Sequence, residues 1–181
     1  IFFLILTYAK SEIINTIKVL GNERISEEIV IIFSELEVGK DVNANDINKA
    51  IKKLYETKYF KNISSKIENQ NLIFSVEENP IIQSIIINGI KNNSIVSKLE
   101  EITKKSEKYP YLKEDVRNQK DLLINILRST GFYFADVKTE IQQNINNTVN
   151  ITYNFDLGER AKIKKITFIG NKAFKDSKLR N

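Results

Sequence analysis

At 181 residues, 41% hydrophobic and 28% charged, the chain is long enough for one or two packed domains. It contains no cysteine and no histidine, which excludes disulfides, thiolate zinc sites, the commonest metal ligand and the usual neutral-pH acid–base group. The net charge of +5 is uneven: residues 10–79 carry 10 basic and 12 acidic groups, residues 80–156 carry 10 and 9, and residues 157–181 carry 8 and 2. The two long segments therefore lack the basic surface that phosphate binding requires.

The chain has no methionine, and it is expected to be a piece of a longer protein. Its first nine residues, Ile1 to Ala9, are an apolar run ending in the small-x-small pair Thr7 and Ala9. This reads as the end of a secretory signal peptide cleaved after Ala9, and the run is too short to span a bilayer.

One stretch then occurs three times. Its skeleton is Ile-x-x-Ile-x-apolar-x-Gly, seen at Ile14–Gly21, Ile82–Gly89 and Ile163–Gly170. The glycines stand 68 and 81 residues apart (89 − 21 and 170 − 89), a domain-sized period. Ile17/Val19, Ile85/Ile87 and Ile166/Phe168 alternate as on one face of a strand, and the glycine supplies a sharp exit.

After the first copy of this strand, Ser26 is an N-cap with Glu27 and Glu28 in the first helical turn. The helix carries Ile29, Ile32, Phe33 and Leu36 as its apolar stripe and stops at Gly39. A second helix starts at Asn43, with Asp46 at N3, and places Ile47, Ile51, Leu54 and Tyr55 on one face and Lys49, Lys52, Lys53 and Glu56 on the other. Two alternating strands follow, with Ile63, Ser65 and Ile67 on one face of the first and Leu72, Phe74 and Val76 on one face of the second. Glu68-Asn69-Gln70-Asn71 turns between them. The order is β-α-α-β-β, an α+β unit with two helices on one face of a three-stranded sheet. Glu77-Glu78-Asn79-Pro80 closes it.

The order repeats from Ile82. Ser94 starts a helix with Val96, Leu99 and Ile102, and Pro110 separates it from one carrying Val116, Leu123, Ile126 and Leu127. The helix end Leu127-Arg128-Ser129-Thr130-Gly131 aligns with Leu54-Tyr55-Glu56-Thr57-Lys58. Gly131 suits a left-handed helix end, whereas Lys58 would be strained there, so the first helix is expected to end differently. Val137, Thr139 and Ile141 alternate, Asn144 to Thr148 turn, and Val149, Ile151, Tyr153 and Phe155 alternate on the return. Residues 157–181 begin a third, incomplete unit.

Three pieces of wording are more specific than this order. They are Gly21-Asn22-Glu23-Arg24-Ile25, the helix end Ile51-Lys52-Lys53-Leu54-Tyr55-Glu56-Thr57 with Phe60, and Val76-Glu77-Glu78-Asn79-Pro80. Asp46-Ile47, Gly131-Phe132-Tyr133 and Gly170-Asn171-Lys172-Ala173-Phe174 add to them. Together they resemble the polypeptide-transport-associated (POTRA) repeats of outer-membrane assembly factors. Lys58, where the family often has glycine, and Ile90, where it often has asparagine, depart from the pattern.

The resemblance implies residues 10–79 as a first repeat, 80–156 as a second and 157–181 as the start of a third. It implies a periplasmic address, a C-terminal transmembrane β-barrel outside this sequence, and participation in folding and inserting other barrel proteins. Implied partners are unfolded outer-membrane clients, periplasmic chaperones and assembly lipoproteins, with no cofactor and no nucleic acid. In the POTRA arrangement the third strand is central and the second is an edge.

Edge strands offer unpaired N–H and C=O groups to any extended peptide. The expected binding edges are therefore Ile63, Ser64, Ser65, Lys66 and Ile67 in the first repeat, and Val137, Lys138, Thr139 and Glu140 in the second. The exposed helix side at Lys52 and Lys53 is a rival docking surface. The alternative reading is an α+β nucleic-acid-binding module stacking bases on Tyr59, Phe60, Tyr133 and Phe134, although their place at helix ends fits core packing better. Enzyme chemistry is not expected, because no carboxylate or serine–lysine spacing stands out.

Overall fold

A computed structural model describes residues 11–162 together with Thr167, Ile169 and Lys178. The apolar run Ile1 to Ala9 lies outside the described residues, as does the third copy of the repeated stretch apart from those isolated positions. The chain divides into two compact units: Ile1–Ser84 with Glu107–Lys113 and Gln143–Asn150, and Ile85–Ser106 with Glu114–Gln142 and Ile151–Asn181.

In the first unit, β1 (Glu12–Ile13) pairs antiparallel with β3 (Asp41–Val42), a short ladder that alternation does not reveal. β2 (Thr16–Leu20) buries Ile17 and Val19 and is followed by Gly21 at φ +84°. α1 (Glu27–Ser34) is capped by Ser26, whose side chain accepts the Ile29 N–H at 3.4 Å.

The apolar stripe of α1 differs from expectation. The helix buries Val30 and Ser34, whereas Ile29 is 42% and Ile32 69% exposed. Five consecutive apolar residues, Ile29 to Phe33, leave the buried side undefined in sequence. Nor does Gly39 end the helix: Glu35, in left-handed conformation (φ 55°), is the C-cap and donates its N–H to the Ile32 carbonyl.

α2 (Ala44–Glu56) has the expected start. Asn43 accepts the N–H groups of Asn45 and Asp46, and Asp46 accepts the Asn43 N–H, so two orphan ends are satisfied reciprocally. Ala50 and Leu54 face the core. Its end overturns an expectation: Lys58 does adopt the left-handed region (φ 63°), as Gly131 does in the second unit (φ 98°). The strained residue is held by neighbours, since the Asn79 side chain donates to the Lys58 carbonyl at 2.8 Å and the Lys58 N–H reaches the Tyr55 carbonyl at 3.0 Å.

β4 (Phe60–Glu68) and β5 (Asn71–Glu78) form an antiparallel hairpin. Asn69 and Gln70 at its tip both have positive φ, the primed turn whose twist suits two-residue loops. β5 also pairs in parallel with β2, Ile17 opposite Leu72 and Val19 opposite Phe74, so the sheet order is β2-β5-β4. Leu72, Phe74 and Val76 are buried in a core with Ile14, Ile17, Val19, Val30, Leu54 and Phe60.

Glu78 turns inward at the end of β5, and only 1% of its side chain is exposed. Its Oε1 accepts three consecutive backbone N–H groups, from Glu23, Arg24 and Ile25, at 2.9–3.0 Å. The Arg24 guanidinium lies 3.4 Å from Oε2 and donates to the carbonyls of Asn79 at 2.8 Å and Asn147 at 2.6 Å, all within this unit. Burying a carboxylate this way is tolerable because its charge meets both donors and a cation.

A second sheet has the order β6-β8-β7, from β6 (Ile81–Asn88), β7 (Asp136–Asn144) and β8 (Thr148–Asp156). In the second unit, α3 (Asn93–Thr103) is capped by Asn92, two residues before the expected Ser94, because the Asn92 side chain accepts the N–H groups of Ser94 and Ile95. α4 (Lys113–Ser129) buries Val116, Leu123 and Leu127. Tyr153 on β8 is wholly buried, and its hydroxyl donates to Gln119 of α4 at 2.8 Å. The fold is α+β throughout, and no described helix is long and apolar enough to cross a membrane.

Candidate functional site

β4 neighbours only β5, and β7 only β8, so both are outer strands and the last strand of each sheet is central. The expected edge residues Ile63, Ser64, Ser65, Lys66 and Ile67 all lie on β4, and Val137, Lys138, Thr139 and Glu140 on β7. Along β4, Ile63, Ser65 and Ile67 are half-buried while Ser64 and Lys66 are exposed. Along β7, Val137 is buried, Lys138 and Glu140 are exposed, and the Thr139 hydroxyl is buried without a hydrogen-bond partner.

Backbone direction on β4 is fixed by one bond. The Ile63 N–H donates to the Tyr55 hydroxyl at 3.0 Å, away from β5. Antiparallel pairing alternates residues that exchange hydrogen bonds with residues that do not. Register is regular from Ile63↔Val76 to Glu68↔Asn71, so Ile63, Ser65 and Ile67 share the outward set and Ser64, Lys66 and Glu68 bond to β5. A bulge between Phe60 and Asn62 interrupts the ladder just before this run. Sequence reasoning missed the Tyr55 contribution, which depends on how α2 lies beside β4.

On the outer face of β4, Lys61 donates to Glu77 of β5 at 2.8 Å and Asn62 also bonds to Glu77. These bonds hold the Glu77 carboxyl below its ordinary pKa, Lys61 first and Asn62 second. Lys66 pairs with Glu68 at 2.9 Å, placing alternating charge along the strand. Charges of this kind deter uncontrolled edge-to-edge association.

The rival helix surface is mixed. Lys52 is largely exposed and lies 3.8 Å from Glu56, whereas Lys53 folds over to pair with Glu35. Lys53 also lines a shallow cleft of about 320 Å³ with Lys40, Lys49, Asp41 and Asp46.

The aromatic residues correct an expectation of core packing. Phe60 is buried and Tyr59 stacks on Phe33 with centroids 6.2 Å apart, but Tyr133 and Phe134 are largely exposed. No group of acidic side chains among the described residues is placed to hold a metal ion.

Both three-stranded sheets have their last strand central, the arrangement that the resemblance to POTRA repeats implies. The POTRA family model, described as a surface antigen variable number repeat, matches residues 80–158. The chain is similar to the outer membrane protein assembly factor BamA of Buchnera aphidicola, 27% identical over 191 residues that cover 98% of this chain and 29% of that protein. It is also similar to BamA of Neisseria meningitidis serogroup B, 28% identical over 172 residues covering 92% and 21%. The chain thus spans less than a third of the length of these relatives. The N-terminal domain of Omp85 from Thermosynechococcus elongatus has the same fold, with a TM-score of 0.53 at 14% identity over 80% of this chain and 63% of that one.

Proposed function

We propose that this chain is a periplasmic part of an outer-membrane β-barrel assembly factor and is a binding module rather than an enzyme. In this reading residues 10–79 and 80–156 are successive POTRA repeats, residue 157 begins a third, and residues 1–9 end a signal peptide. The repeats bind extended polypeptide by adding it as a strand to β4 and β7. Clients are unfolded outer-membrane proteins, and chaperones and assembly lipoproteins are partners.

The observation that carries this reading is the outward backbone of β4, where Ser65 and Ile67 lie in the set directed away from β5. Backbone pairing reads no particular sequence, which suits clients that share only alternating, β-prone character. The likeness to proteins named as outer membrane assembly factors supports the same role.

Proline at Ser65 or Thr139 removes an edge N–H while leaving the helix layer in place. With folding checked by circular dichroism, photo-crosslinking of an unfolded barrel protein to β4 or β7 should fall in the matching variant. Unchanged crosslinking in both variants would refute edge pairing. Charge reversal at Lys52 tests the helix surface separately, through partner pulldown.

A further inference from the structure

We infer that the Tyr55 hydroxyl caps the β4 edge and sets the residue at which an added strand begins. This rests on the edge-pairing reading and adds a specificity-determining residue to it.

Three observations carry the inference. The Ile63 N–H is the first outward donor after the β-bulge, and its bond is made by Tyr55 at 3.0 Å. Tyr55 belongs to α2, near the helix end and eight residues before Ile63 in sequence, so the bond fastens the helix layer to the sheet edge. Tyr55 is 43% exposed, and its hydroxyl occupies the outward Ile63 N–H that an added strand would have to reach.

An incoming carbonyl that would pair with Ile63 competes with a bond already made. One that pairs with Ser65 does not meet this competition. Exchanging one neutral hydrogen bond for another yields little net gain, because the displaced hydroxyl must find a new partner. Pairing therefore starts at Ser65 and runs toward Ile67 and the hairpin tip. The bulge and Tyr55 together define one end of the usable edge.

The second repeat lacks this device at the corresponding place. In the alignment of helix ends, Arg128 stands where Tyr55 does. A guanidinium has five donors and no acceptor, so it cannot accept an amide hydrogen. Tyr55 accordingly makes the two edges unequal, and β4 offers the shorter track.

The test uses the 181-residue chain and a synthetic peptide of alternating threonine and phenylalanine, about ten residues long, enough to match one strand. Tyr55→Phe keeps the ring and removes the hydroxyl. Without peptide, the Ile63 amide should exchange with solvent about tenfold faster in Tyr55→Phe than in the parent, while core amides are unchanged. With peptide, intermolecular NOEs in the parent should begin at Ser65, and in Tyr55→Phe they should extend to Ile63 with binding tightened about fivefold.

Ser65→Pro separates the two claims. If Ser65→Pro leaves the peptide NOEs to β4 unchanged, edge pairing itself fails there. If Ser65→Pro abolishes the β4 NOEs but the parent already pairs at Ile63, or Tyr55→Phe does not alter the first paired residue, the cap is refuted and edge pairing stands.

Discussion

The backbone of Gly21 runs so close to the carbonyl oxygen of Val76 that a Cβ at residue 21 would stand 2.3 Å from it. Gly89 meets the Phe155 carbonyl in the same way, at 1.9 Å. Both glycines end the first strand of a sheet and press against the central one, and both have positive φ. Gly21→Ala and Gly89→Ala should each destabilise by about 2 kcal/mol or more, since backbone must move to admit the methyl group. Urea unfolding followed by circular dichroism measures this, and a shift of the midpoint near zero would contradict the geometry.

Lys58 offers the opposite test. A non-glycine residue in the left-handed region costs about 1–2 kcal/mol, partly offset by the greater unfolded-state freedom of glycine. Lys58→Gly should therefore stabilise by about 0.5–1 kcal/mol, read as a rise in thermal midpoint. A fall would mean that the lysine side chain contributes more than its backbone costs.

Removing the Glu78 carboxylate leaves three adjacent N–H groups without their acceptor and the Arg24 guanidinium without its ion-pair partner. Glu78→Ala should cost about 3 kcal/mol or more, and Arg24→Ala less, because Arg24 is partly solvated. In a double-mutant cycle the two losses should fall well short of additive. Additive losses would show that Glu78 acts through the backbone alone.

Glu77 predicts a pH effect of defined sign. Its folded pKa is lowered by Lys61 and then Asn62, so its contribution is present above the unfolded carboxylate value and is lost as pH falls through the folded one. Lys61→Met should move the Glu77 carboxyl titration upward toward the ordinary range, as followed by carbon-13 NMR. An unmoved midpoint would show that Lys61 does not set it.

Much of this arrangement was legible from residue order. Alternation placed Leu72, Phe74 and Val76 inside, and Asn43 with Asp46 announced the start of α2, because both signals depend on neighbours only a few residues away. The side of α1 that faces the core was not legible, since Ile29 to Phe33 would satisfy any orientation. Glu78 read as a domain junction, although it is a buried anchor for a turn more than 50 residues earlier. The edge strands could be named, but the direction of their backbone donors emerged only with the Tyr55 hydroxyl bond, which no sequence spacing encodes.

The parallel pairing of β2 with β5 has a bearing on how the first sheet assembles. Thr16 meets Asn71 across 55 residues, whereas β4 and β5 are joined by a two-residue tip. Closing a short hairpin is fast and closing a long loop is slow. The hairpin therefore forms while β5 still lacks its second neighbour, and for that interval the strand destined to be innermost lies bare. In that interval the backbone groups of β5 that will face β2 have only water as a partner.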